Sequence, residues 1–181
     1  PLDVPLLTGG ATSSRLDRQP AVFRTVYSDS DVQPLLALAG AKLGSTVGLL
    51  ASEDDFGLGG LETLRTAFAN QGVIVVAEET FLSTDPTGVP VGDGCRGHPE
   101  RLRIVERAVA ALLKSGAGIL AVSATDPSTQ CAFAAAAGLS AAGLLPEPPA
   151  WLSTEVMRTN WSSDWGRQVP PPPALPLPPA P

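Results

Sequence analysis

The sequence predicts an α/β fold, a parallel sheet with helices on both faces, and three observations carry that expectation. Short apolar runs of strand length alternate with longer segments whose apolar residues recur every three or four positions. Two of the runs, Thr46-Val-Gly-Leu-Leu-Ala51 and Ile119-Leu-Ala-Val122, are apolar throughout, as strands covered on both faces are. The strict order strand, helix, strand, helix supplies the crossovers that join parallel neighbours.

Residues 4–8 read as a strand and 22–26 as a second extended piece. A helix is expected over 30–43, with Ser28 or Asp29 as its cap and Pro34 tolerable near its first turn. After the run 46–51 comes a helix over 58–70, with Leu61, Leu64, Ala67 and Phe68 on one face and Gly72 at its stop. Residues 73–77 form the next buried strand. The clearest helix spans 99–114: Leu102, Val105, Val109, Leu112 and Leu113 share a face, Pro99 opens it and Gly116 ends it. Then follow the strand 119–122, an Ala-rich helix over 127–137 closed by Gly138, and a last strand over 150–153. Ligands of parallel sheets bind outside the carboxyl ends of the strands, which selects the turns at 52–60 and 123–126 and the segment after Leu152.

Composition narrows the function. Twelve basic against 18 acidic side chains give a net charge of −6, the reverse of the basic face that neutralises nucleic-acid phosphates. No apolar run approaches the roughly 20 residues that span a bilayer, and the first 25 residues lack a signal-peptide pattern. The chain opens on Pro1 and holds a single methionine, Met157, so it is expected to be a piece of a longer product. Cys95 and Cys131 form neither a metal-ligand spacing nor a CxxC motif and are expected to be unpaired small residues. Eight of the 19 prolines fall between Pro170 and Pro181, a polyproline II composition expected to be unstructured. Such a tail suits a groove ligand, a stalk, or a translated stretch foreign to the domain.

Motifs for catalysis and cofactors are weak. Gly57-Leu-Gly59-Gly60 follows a strand and Glu78 lies further on, but Glu62 stands where a dinucleotide fingerprint needs its third glycine. Glu53, Asp54 and Asp55 in the same turn would repel a pyrophosphate. There is no phosphate-cradling loop, no GxSxG elbow, no HExxH and no EF-hand loop. The single histidine, His98, precedes a helix and reads as a cap or surface residue. The expectation is a non-enzymatic protein without cofactor or metal. What remains is a set of polar residues at strand ends, each with a simpler reading: Ser28 and Asp29 as caps, Asp54 and Asp55 as a solvated turn or cap, Glu155 as a surface acid.

Three stretches then resemble a known family. VPLLTGGATSSRLDRQPAVFRTVYSDSD, ASEDDFGLGGLETLRTAFANQGV and AWLSTEVMRTN are similar, in order and spacing, to segments of the extracellular ligand-binding module of class C G-protein-coupled receptors. The likeness covers about 160 of the 181 residues and points in particular to the taste, calcium-sensing and metabotropic glutamate branches. Periplasmic amino-acid-binding proteins of bacterial ABC transporters share the first two motifs more loosely and are the alternative. The resemblance implies a periplasmic-binding-protein-like (type I) Venus flytrap: the end of lobe 1 and the crossover over 1–27, lobe 2 over 28–160, and the Pro-rich tail over 161–181.

Carried over by position, Thr12 and the backbone at Gly10 would touch the amino-acid end of a ligand. Asp29 and Glu155 would hold its ammonium, and Phe56 would pack on it from lobe 2. Phe56 stands where many relatives carry Tyr, Ile74 where a cysteine is common, and Gly9 and Gly10 where an aromatic and a Ser are frequent. The implied partners are a small amino-acid-like ligand, a second receptor subunit in a homo- or heterodimer, and a heterotrimeric G protein reached through a transmembrane part outside this chain. The implied location is the extracellular side of the cell membrane. Asn160-Trp-Ser162 is an N-glycosylation acceptor pattern, which suits that location.

Overall fold

A computed structural model describes residues 5–82, Cys95, 98–144 and 150–153. The elements run β1 (Leu6–Thr8), a 3₁₀ turn (Ser14–Leu16), β2 (Val22–Arg24), α1 (Asp29–Gly40), β3 (Thr46–Ser52), α2 (Asp55–Asn70), β4 (Ile74–Phe81), α3 (Pro99–Lys114), β5 (Ile119–Ser123), α4 (Asp126–Ala141) and β6 (Ala150–Ser153). The main sheet has the order β4-β3-β5-β6 and every pairing in it is parallel. β1 and β2 form a separate two-stranded parallel ribbon.

Helices cover both faces of the main sheet. Val47, Leu49, Ala51, Ile119 and Ala121 pack with Ala37 of α1 and with Leu61, Leu64, Ala67 and Phe68 of α2. On the opposite face Leu50, Leu120 and Val122 pack with Val105, Val109 and Leu112 of α3 and Ala132, Ala135 and Ala136 of α4. The period-2 alternation of β3 and β5 therefore feeds two cores at once, which is why both are apolar at every position between their ends.

Several boundaries differ from expectation for local reasons. α1 begins at Asp29 because Ser28 and Asp31 close a capping box: Ser30 N–H donates to Ser28 Oγ (3.2 Å) and Ser28 N–H to Asp31 Oδ2 (3.3 Å). Pro34 therefore lies beyond the first turn, where its missing N–H leaves the Ser30 carbonyl without its helical donor. α2 starts at Asp55 rather than 58, since Asp54 Oδ1 accepts from Gly57 N–H at 2.7 Å. α4 passes through Gly138 to Ala141, and Gly143, with φ 68°, provides the stop. At Gly138 a methyl would stand 3.1 Å from Glu106 Oε1, so that glycine serves the approach of α4 to α3. β4 extends to Phe81 because Glu78, Glu79 and Thr80 sit on a half-exposed edge strand, where polar residues are tolerated.

The expectation of unpaired cysteines is overturned: Cys95 and Cys131 form a disulfide, with Cα atoms 5.1 Å apart and both residues buried. Sequence spacing could not reveal it, because the bond joins the segment before α3 to the middle of α4, and only the packing of α4 on α3 brings the two together. Among the described residues no helix is long and apolar enough to cross a membrane. In the loop-entropy picture a cross-link of this 36-residue separation contributes about 3–4 kcal/mol. Replacing Cys131 with Ser should lower the unfolding free energy by about that much in a denaturant titration, and an unchanged midpoint would show that the bond contributes nothing to the fold.

Candidate functional site

The strands of the main sheet deliver their carboxyl ends to one side, and the turn after β1 meets the start of α1. Asp29 N–H donates to the Thr12 carbonyl at 2.8 Å, so the first turn of α1 is pinned to the 11–13 loop. Arg24 of β2 holds that loop from beneath: its Nη1 donates to the carbonyls of Ala11 (3.4 Å) and Ser13 (3.2 Å), and its Nη2 pairs with Asp17. Asp17 also accepts from Ser28 Oγ at 2.8 and 2.9 Å and from Ser30 Oγ at 2.7 Å. One ion pair thus ties the loop, the ribbon and the N-terminus of α1 together.

Asp29 is 6% exposed, and burial pushes its carboxyl above the ordinary value; the Thr12 hydroxyl and the Arg24 guanidinium act in the opposite direction. Thr12 Oγ1 is itself buried and makes no full hydrogen bond, although it lies close enough to Asp29 to favour the ionised form. The charge of Arg24 is largely committed to Asp17. Asp29 is consequently a buried acid whose charge is only partly compensated, next to a hydroxyl with unused hydrogen-bonding capacity. That pair can accept hydrogen bonds from a cation with N–H donors, such as a primary ammonium.

The structure brings Thr12 and Asp29 together. Gly10 is exposed on the same loop, with its N–H directed at Thr8 Oγ1 (3.4 Å), a long bond that a ligand could replace. Phe56 is half-buried in the first turn of α2. It lies three residues before Gly59, where a methyl would stand 3.9 Å from Ser13 Oγ, so the two positions are neighbours on α2. Glu155 and Asn160 lie outside the described residues.

The glycines of the Gly57-Leu-Gly59-Gly60 run have a packing purpose. A methyl at Gly57 would overlap the Ser52 carbonyl, and one at Gly60 would overlap Ser123 Oγ, so α2 rests directly on the ends of β3 and β5. Glu78 is held well inside a bidentate pair with Arg65, at 2.6 Å for both bonds, which lowers its carboxyl from the ordinary range. Glu53 accepts from Thr80 Oγ1 at 2.7 Å. His98 is exposed ahead of α3 and makes no side-chain cap bond. Among the described residues no group of three or more His, Cys, Asp or Glu side chains is placed to hold a metal ion.

Sequence reasoning passed over Arg24 and Asp17, the pair that shapes the loop. The signal was present: an arginine in a three-residue strand beside a loop of small residues is positioned to bond loop carbonyls. The chain matches no model of a known protein family and no curated protein.

The raised Asp29 carboxyl has a sign that can be measured. Between its ordinary value, 3.8, and its higher folded value, the folded state binds more protons than the unfolded chain, so this group makes stability fall as pH rises through that window. Asp29→Asn should remove that decline and make the protein more stable than wild type near neutrality, read from thermal melts across the acid-to-neutral range. A decline of the same size in the variant would assign it to other groups.

Proposed function

We propose that this chain is the ligand-binding region of a class C G-protein-coupled receptor, lobe 2 with the end of lobe 1 of a type I Venus flytrap, and that it senses an amino acid or similar small ligand. The observation that carries the reading is Asp29, a buried and incompletely compensated carboxylate beside Thr12, at the position where the resembling family holds a ligand ammonium. An all-parallel sheet with helices on both faces is compatible with such a lobe. The Cys95–Cys131 disulfide belongs to the oxidising conditions in which extracellular domains mature.

The chemistry follows from charge. Two carboxylates brought within about 5 Å repel by roughly 3 kcal/mol at an effective dielectric near 20. An ammonium between Asp29 and Glu155 reverses that sign and adds charge-assisted hydrogen bonds. Lobe closure is then disfavoured when empty and favoured when filled, a population shift driven by differential binding. Phe56, lacking the hydroxyl of a tyrosine, offers the ligand an apolar ring face, and signalling passes to a membrane part that engages the G protein.

Calorimetric titration of amino acids against the intact two-lobed module should show binding that Asp29→Ala weakens by about 30-fold or more, the effect of removing one partner of a buried charge pair. Undiminished affinity in the variant would remove the assignment. Expressed through a secretory pathway, the chain should carry a glycosidase-sensitive mass that Asn160→Gln abolishes. Its absence from the wild-type chain would count against an extracellular, glycosylated domain.

A further inference from the structure

Gln33 sits one helical turn after Asp29 on the buried face of α1 and is 1% exposed. Neither its amide oxygen nor its amide nitrogen has a hydrogen-bond partner among the described residues. Ser123, the last residue of β5, is fully buried, and its hydroxyl likewise has none. The two side chains converge on one place: a methyl at Gly60 would overlap Ser123 Oγ and stand 3.1 Å from Gln33 Nε2. Yet they do not bond each other.

The place is special in the topology. β3 and β5 are neighbours, with Ala51 paired to Ser123, and from their ends the chain leaves toward opposite faces, through α2 and through α4. Such a switch point opens a crevice at the strand ends. Here the backbone of α2 at Gly60 forms its roof.

Three orphaned polar atoms would each weaken folding by about 5- to 150-fold if nothing met them. Both side chains are neutral, and each can donate and accept, so a charged guest would have no countercharge from them. Their burial admits only something small enough to be sealed in as the helices close. We propose that Gln33 and Ser123 hold a buried water molecule between α1, α2 and the end of β5. Water meets the requirement of a polar site with two or more partners, and it joins three elements that make no direct side-chain hydrogen bond there.

Oxygen-17 relaxation dispersion on the 181-residue chain should count one more long-lived water in the wild type than in the Gln33→Leu/Ser123→Ala variant. A crystal structure should show a solvent peak about 2.7–3.2 Å from the Gln33 amide and from Ser123 Oγ. Ser123→Ala alone should weaken the folding equilibrium constant about fivefold or more, because it takes a hydrogen bond from a sealed water. Equal water counts, a crevice without a peak, a direct Gln33–Ser123 hydrogen bond, or a Ser123→Ala variant as stable as wild type would each overturn the proposal. Should the double variant fail to fold, the wild-type density decides.

Discussion

β3 is paired on both edges and covered on both faces, and the remaining elements of the main domain are arranged by that constraint. A strand so placed has no outlet for a polar side chain along its length, so polarity collects where it ends, at Ser52. β5 behaves in the same way and ends at Ser123. The helix that follows β3 must lie close against these ends, and it does so through Gly57 and Gly60. Those residues have low helix propensity, roughly 1 kcal/mol each below alanine, and the loss is offset by contact that no larger residue would permit. Ser123 at the end of β5 and the glycine that lies against it both follow from strands buried on both faces.

The loop that meets α1 obeys a different physics. Small residues between β1 and the 3₁₀ turn have little to pack, and their carbonyls are gathered by a single guanidinium. Because Arg24 is engaged by Asp17, it orders the loop while leaving Asp29 only partly neutralised. A carboxylate desolvated without a full partner is unfavourable for the fold. The same network fixes Ser28 and Ser30, so the fold itself holds the start of α1 around Asp29.

Much of the fold was legible because burial writes a period into the chain. The face Leu61, Leu64, Ala67 and Phe68 was readable from spacing, and α3 matched from Pro99 to Lys114 since a proline start, an apolar stripe and a glycine stop all agree. The end of α4 was misplaced at Gly138 because a glycine needed for helix contact looks, in sequence, like a glycine needed for a turn. The edge strand β4 was cut short because its solvent-facing half carries no apolar signal. At the site, Asp29 and Thr12 were named from motif positions and do come together. Gln33 was missed although it follows Asp29 by four on the face that holds Ala37, a spacing that predicts burial. The disulfide was illegible, since it depends on two helices docking and not on any local pattern.

Thr46 lies at the start of β3 and reaches across the chain: its hydroxyl donates to the Gly116 carbonyl at 3.0 Å and accepts from Gly118 N–H at 3.1 Å, over separations of 70 and 72 residues. The central strand of this sheet therefore acquires its second neighbour only after an α2–β4–α3 stretch has been made. Contacts of such length must overcome loop closure before they return any stabilisation. Until β5 arrives, one edge of a strand that is apolar between its two ends is open to any other strand that passes. Synthesis makes β3 well before β5, so that interval already begins during translation.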